Sequence, residues 1–143
     1  MTPLVMHPGP IGARAWAAAK RLIGARFRLQ GRDAATGLDC VGVVVAAYAA
    51  AGVRLLASDS YGLRGMALDA AAAALDGGGL ARCAQPLAAG DVGLFALPAR
   101  QLHLALLAPD RIIHADAALR RVVGAPAARL PPPVLRWRFQ ERI

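Results

Sequence analysis

Three residues of this chain could share one nucleophilic chemistry: Cys40, His103 and His114. Cys40 stands in Gly37-Leu38-Asp39-Cys40-Val41-Gly42, just before the apolar run Val43-Val44-Val45-Ala46-Ala47-Tyr48. A turn-forming Gly37, an Asp and a helix-compatible segment place the thiol at or near a helix N-terminus. Exposed backbone N–H groups and the helix dipole favour the nucleophilic thiolate there. Gly42 falls in the first turn, where a small residue lets a substrate backbone come close. His103 opens a strand-like segment after Pro98-Ala99-Arg100-Gln101-Leu102, and His114 lies one hairpin later. If those strands are antiparallel neighbours, the two imidazoles can share one face of a sheet. His103 is then the candidate base, and His114 the group that bonds its far ring nitrogen and fixes its tautomer. Cys83, in Leu80-Ala81-Arg82-Cys83-Ala84, reads as a small buried hydrophobe. His7 sits in a Pro/Gly-rich tail with no such context.

The elements that must position these groups fall into two halves. Three helical segments come first. The spacing of Trp16, Ala19, Leu22 and Ile23 predicts a helix from Ala13 to Ile23, ended by Gly24. A second helix runs from Cys40 to Ala51, with Gly52 as its stop. It is apolar nearly all round, which marks a buried helix. A third runs from Met66 to Leu75, before Gly77-Gly78-Gly79. Strands follow at 91–97, 103–107, 111–115 and 120–123, and Val134 to Phe139 alternates with period two after three prolines. Helices followed by hairpin-linked strands predict an α+β fold, with the nucleophile at a helix N-terminus packed on a C-terminal antiparallel sheet. The 143 residues fit one domain, 1–143, with residues 1–12 as an extended tail.

Bulk composition narrows the function classes. The net charge is +8, and Lys20 is the only lysine among 17 basic residues. The arginines are scattered, with no dense run and no interleaved aromatic stripe, so a dedicated nucleic-acid platform is not indicated. A cationic surface also suits anionic polymers such as bacterial cell wall. Two cysteines do not make a disulfide framework. No ligand spacing for a metal is present, and no cofactor motif stands out. No apolar run is long enough for a membrane span. The first residues lack a secretory leader pattern. The expected site of synthesis is therefore the cytoplasm.

The ordered motifs resemble the NlpC/p60 family of cell-wall cysteine peptidases, a small papain-like fold. They read Leu38-Asp39-Cys40-Val41-Gly42, then Gly90-Asp91-Val92-Gly93-Leu94-Phe95, then His103-Leu104-Ala105-Leu106-Leu107, then Ile112-Ile113-His114-Ala115. The likeness runs from Ala13 to Phe139. It implies a Cys40–His103–His114 triad hydrolysing amide bonds of peptidoglycan stem peptides, of the γ-D-glutamyl-diaminopimelate type. It also implies a subsite where Asp39 binds the free amine of the stem peptide. The residues alone equally allow Asp39 to be the N-cap of the helix. Phe27 and Leu29 stand in the loop where the family usually carries tyrosine, and line the same subsite without its hydroxyl. Arg32 and Asp33 in that loop could reshape it. The segment Gly24-Ala25-Arg26-Phe27-Arg28-Leu29-Gln30-Gly31 and the closing Trp137 and Phe139 resemble the form found in phage tails and gene transfer agents. That form implies phage-tail-like structural partners. Two other readings share the fold: a structural tail or hub subunit with little hydrolysis, and an amidase or acyltransferase.

Overall fold

A single apolar helix organises the molecule. In the computed structural model, which describes residues 10–55, 68–76, 79–98 and 101–140, helix α2 spans Cys40–Ala50. It buries Val41, Val43 and Val44 on one turn and Ala47 and Tyr48 on the next. Helix α1 (Pro10–Leu22) lies against it through Ala15, Ala18 and Ala19. These are alanines at helical spacing, so the two backbones approach closely. Arg14 of α1 donates to the Ala51 carbonyl at 3.0 Å, placing a cation on the C-terminal end of α2. Helix α3 (Leu68–Asp76) adds Ala71, Ala72 and Leu75 to the same core.

The other side of α2 is closed by a sheet. Strands β3 (Leu80–Arg82), β4 (Asp91–Leu97), β5 (Gln101–Ala108), β6 (Arg111–Asp116), β7 (Arg121–Pro126) and β8 (Leu135–Phe139) lie in the order β3-β8-β4-β5-β6-β7, and every neighbouring pair is antiparallel. Two further strands, β1 (Arg32–Asp33) and β2 (Gly37–Leu38), form a miniature hairpin before α2. The expected α+β architecture is therefore present, with α2 packed on β5 and β6. Buried Leu94, Leu104, Leu106, Ile113 and Trp137 meet the helices. Phe95, Ala105, Leu107 and Ile112 form a second apolar cluster.

Two polar anchors join the layers. The Tyr48 hydroxyl donates to the Gly90 carbonyl at 2.6 Å, tying α2 to the turn before β4. Asp91, 1% exposed, accepts from Arg136, Arg138 and the Ala88 amide, which pins β8 across β4. Between the two arginines Trp137 is fully buried, and its indole N–H donates to Asp76 at 2.8 Å. Phe139 packs on Tyr48. The closing aromatic pair is thus accounted for by packing.

Several boundaries differ from expectation for local reasons. Helix α1 starts at Pro10, so residues 10–12, expected as extended tail, form its first turn. Proline is well suited to a first helical position because the missing N–H has no partner there. The β1–β2 hairpin and β3 were not anticipated. They are two and three residues long, too short to show a period. His7, Met66, Gly77 and Gly78 lie outside the described residues.

Glycine placement has a different reason from the one expected. A Cβ on Gly42 would lie 2.0 Å from the Gly31 carbonyl oxygen, and one on Gly31 would lie 2.2 Å from the Gly37 oxygen. Gly42 therefore makes room for the chain's own loop, not for a substrate. A Gly42→Ala substitution should cost about 1–3 kcal/mol of stability, read as a lowered urea midpoint. An unchanged midpoint would show that the loop is not seated as described.

Candidate active site

Asp39 is the N-cap of α2. Its backbone is extended and its Oδ1 accepts from the Gly42 amide at 2.8 Å. The Asp39 carbonyl takes the Val43 amide at 3.0 Å. A capping carboxylate at a helix N-terminus is doubly favoured, by the hydrogen bond and by the dipole. Cys40 is consequently the first residue of the helix, as the sequence predicts.

The loop before it is stitched from both sides. Gly24 and Phe27 donate to the carbonyls of Val122 and Arg120 at the β7 end. The Leu38 amide donates to the Arg26 carbonyl, the Arg28 amide donates to the Leu38 carbonyl, and the Asp39 amide donates to the Gly31 carbonyl. Gln30 adopts a left-handed φ of 58° and aims its amide at Asp39 Oδ2, 2.8 Å away. Arg32 is fixed on β1 opposite Leu38. Its Nη1 donates to the Gly31 carbonyl at 3.0 Å and to Asp39 Oδ1 at 2.8 Å. Both side chains of this ion pair are largely buried, at 13% and 9% exposure. Phe27 packs against the main core, whereas Leu29 is more than half exposed.

The two histidines meet. His103 Nε2 and His114 Nδ1 lie 2.7 Å apart, with the rings edge to face. The pairing of β5 with β6 ends at Leu106↔Ile113, although β5 begins at Gln101 and β6 runs on to Asp116. Continuing that register sets His114 on the diagonal from His103, on the same face of the sheet, and sets Asp116 opposite His103. Where β6 no longer pairs, the Leu104 amide faces the Cys40 sulfur closely enough to favour its thiolate, which puts the thiol near the residue that follows His103. Cys40, His103 and His114 are thus gathered at one end of β5, from positions as much as 74 residues apart in the chain (114 − 40).

Protonation in this site runs against the sequence expectation of a thiolate. Burial, joined by the charge of Asp39, pushes the Cys40 thiol up to about 11, and the amides of Leu104 and Val41 with the Arg32 charge only partly oppose it. Burial first, and then the neighbouring His114, lowers His103 to about 4, while the Asp116 carboxylate acts the other way. Burial lowers His114 too, again opposed by Asp116. Desolvation therefore outweighs the helix dipole. These shifts favour a neutral thiol and two neutral imidazoles in the resting site. With the His103 proton on Nε2, donating to His114, Nδ1 keeps a lone pair for an incoming proton. Asp116 went unnoticed in the sequence. Its spacing two residues beyond His114 was the available signal, since alternate residues of a strand share a face. Among the described residues no group of three or more His, Cys, Asp or Glu side chains is placed to hold a metal.

The chain superposes on the NlpC/P60 domain of the peptidoglycan hydrolase SagA with a TM-score of 0.57 at 23% identity, covering 87% of this chain and 96% of that one. It also superposes on NlpC1 from Trichomonas vaginalis with a TM-score of 0.66 at 19% identity, covering 97% of this chain and 48% of that one. The P60 domain of an antigen from M. avium subspecies paratuberculosis gives 0.54 at 19% identity, covering 92% and 96%. The fold is that of NlpC/P60 domains. The chain spans nearly all of the isolated domains but about half of the Trichomonas protein. No protein-family model matches the sequence, and no curated protein does. The NlpC/P60 likeness is thus carried by the backbone, and the side-chain geometry above stands beside it. No helix among the described residues is long and apolar enough to cross a membrane.

The neutral resting state has two measurable consequences. Alkylation of Cys40 by iodoacetamide should climb with pH through the range 8–10 with no plateau near neutrality. A plateau below pH 7 would reveal a thiolate–imidazolium pair instead. Stability should respond to the histidines with a definite sign. Unfolded histidine takes up a proton near 6.5, whereas His103 in the fold does so only near 4. Between those values the unfolded state binds more protons, so stability falls as pH falls. The drop in melting temperature from pH 7 to pH 5 should be smaller in His103→Gln than in wild type.

Proposed function

We propose that this protein is a cysteine peptidase that hydrolyses amide bonds in peptidoglycan stem peptides. One observation carries the reading: an N-capped thiol at the head of α2 lies beside β5, where a hydrogen-bonded His103–His114 pair waits, on an NlpC/P60 fold. In the proposed reaction His103 takes the Cys40 proton as Sγ attacks the scissile carbonyl. The Cys40 amide at the helix head stabilises the oxyanion. The C–N bond then breaks, His103 returns the proton to the leaving amine, and a thioester remains on Cys40. Water, deprotonated by His103, attacks the thioester and releases the acid and the thiol. His114 holds the His103 ring through both proton transfers. Asp116 offsets the positive charge that the imidazole pair acquires.

The γ-D-glutamyl-diaminopimelate bond is the proposed target, on the strength of the motif order. Phe27 and Leu29 supply apolar surface for the peptide. Carriage on a phage-tail-like or gene-transfer-agent particle, which would bring a protein made in the cytoplasm to the wall, is the corresponding proposal for delivery. It is supported by the likeness of the 24–31 loop.

The test is release of peptides from purified sacculi and defined muropeptides. Wild-type protein should cleave them, and Cys40→Ala should abolish cleavage. His103→Ala should lower the rate about 10²–10⁴-fold, the range for a general acid–base group, and His114→Asn by less. Hydrolysis that persists in Cys40→Ala, or wild-type protein that leaves every substrate intact, would overturn the proposal.

A further inference from the structure

Asp39 is the carboxylate whose charge bears on the Cys40 thiol, and its oxygens are already engaged within the chain. Oδ1 accepts from the Gly42 amide and from Arg32 Nη1, both at 2.8 Å, and Oδ2 accepts from the Gln30 amide at 2.8 Å. A carboxylate offers about four lone-pair positions, and these three donors leave little room for another. The Arg32 guanidinium is held at both ends of its contact, by the Gly31 carbonyl and by Asp39, and is largely buried. An arriving ammonium would have to displace a cation that is already desolvated and tethered. Asp116, the other acid near the site, acts on the imidazoles and not on the thiol, and its Oδ1 takes the amides of Ala118 and Leu119.

We infer that Arg32 is a specificity-determining residue that closes the nucleophile's side of the site to a substrate ammonium. The site takes peptides whose amino end is blocked as an amide, as it is when the stem peptide is still attached to the wall polymer. It discriminates against the same peptides with a free amine. The inference rests on the peptidase reading for its substrate, but its electrostatic content concerns Cys40 alone. Arg32 acts through Asp39 and positions no reacting atom itself.

Two measurements decide it. The first compares kcat/KM for two stem peptides that differ only in a free or an N-acetylated amino end. Wild type and Arg32→Lys should favour the acetylated peptide by about tenfold, the scale of one charge-assisted hydrogen bond. Arg32→Gln should narrow or reverse that preference. The second needs no turnover. In a Cys83→Ser background, Cys40 is modified with a cationic and an anionic methanethiosulfonate. Their rate ratio should move toward the cationic reagent severalfold in Arg32→Gln. It should stay unchanged in Arg32→Lys and in the surface control Arg129→Gln. Equal or better turnover of the free-amine peptide by wild type overturns the inference, as does a rate ratio that Arg32→Gln shifts no more than Arg129→Gln does. If neither peptide is cleaved, the peptidase reading fails while the reagent ratio still decides the role of Arg32.

Discussion

The Asp39 carboxylate is the contact on which the candidate site depends. It joins three pieces: the head of α2, the left-handed turn at Gln30 and the short β1 strand carrying Arg32. Each offers a donor that burial would leave unsatisfied. An unmet buried donor costs about 1–3 kcal/mol, so the three converge on this acceptor. Cys40 is the next residue, and its position is inherited from this convergence. Net stability is a poor explanation for the arrangement. Replacing a buried ion pair with apolar groups is often neutral, whereas removing one partner costs about 3–5 kcal/mol. The pair fixes geometry, and the neighbouring glycines make that geometry sterically accessible.

The resting chemistry follows from the same burial. Helix α2 must be apolar on every side to sit between α1 and the sheet, and the thiol at its head packs against that core. A helix N-terminus contributes about half an elementary charge, too little to hold a thiolate against such desolvation. What the fold offers in its place is a pair of imidazoles at the same end of β5. The imidazoles, hydrogen-bonded to each other, stand at the point where β5 and β6 part, and Asp116 lies within electrostatic reach of both. In a site of low polarity, a positive charge that forms on the pair is stabilised more strongly than it would be in water.

The sequence made some of this legible and hid the rest for identifiable reasons. The apolar run after Asp39 reads as a buried helix, and the strand-like segments at His103 and His114 read as hairpin neighbours. Those two patterns located the three candidate groups. The contact between Arg32 and Asp39 left no such trace. It spans seven residues through a hairpin of two-residue strands, which carries no periodicity. Gly42 was misread because a missing Cβ signals close approach without saying what approaches. The Asp91–Arg136–Arg138 cluster was equally hidden. Charges at alternate positions of a strand ordinarily mark a solvated face, and here they flank a buried carboxylate instead. The thiolate expectation counted the dipole and left out desolvation, which pushes the Cys40 thiol up.

One carboxylate cannot hold a loop and greet a ligand with the same lone pairs. In the resemblance drawn from sequence, the acid before the nucleophile is left to meet a substrate amine. In this chain the compensating cation is supplied from within, by Arg32 on a strand anchored to Leu38. The site is therefore organised before any ligand enters, and ordering the loop adds nothing further to the cost of binding. The same step removes a charge that could have read the substrate. What remains near Cys40 is a neutral ion pair and backbone amides. Such a surface distinguishes ligands by shape and by hydrogen bonds of the peptide backbone. On the proposed reading, Arg32 is what turns the site away from the end of a peptide and toward its interior.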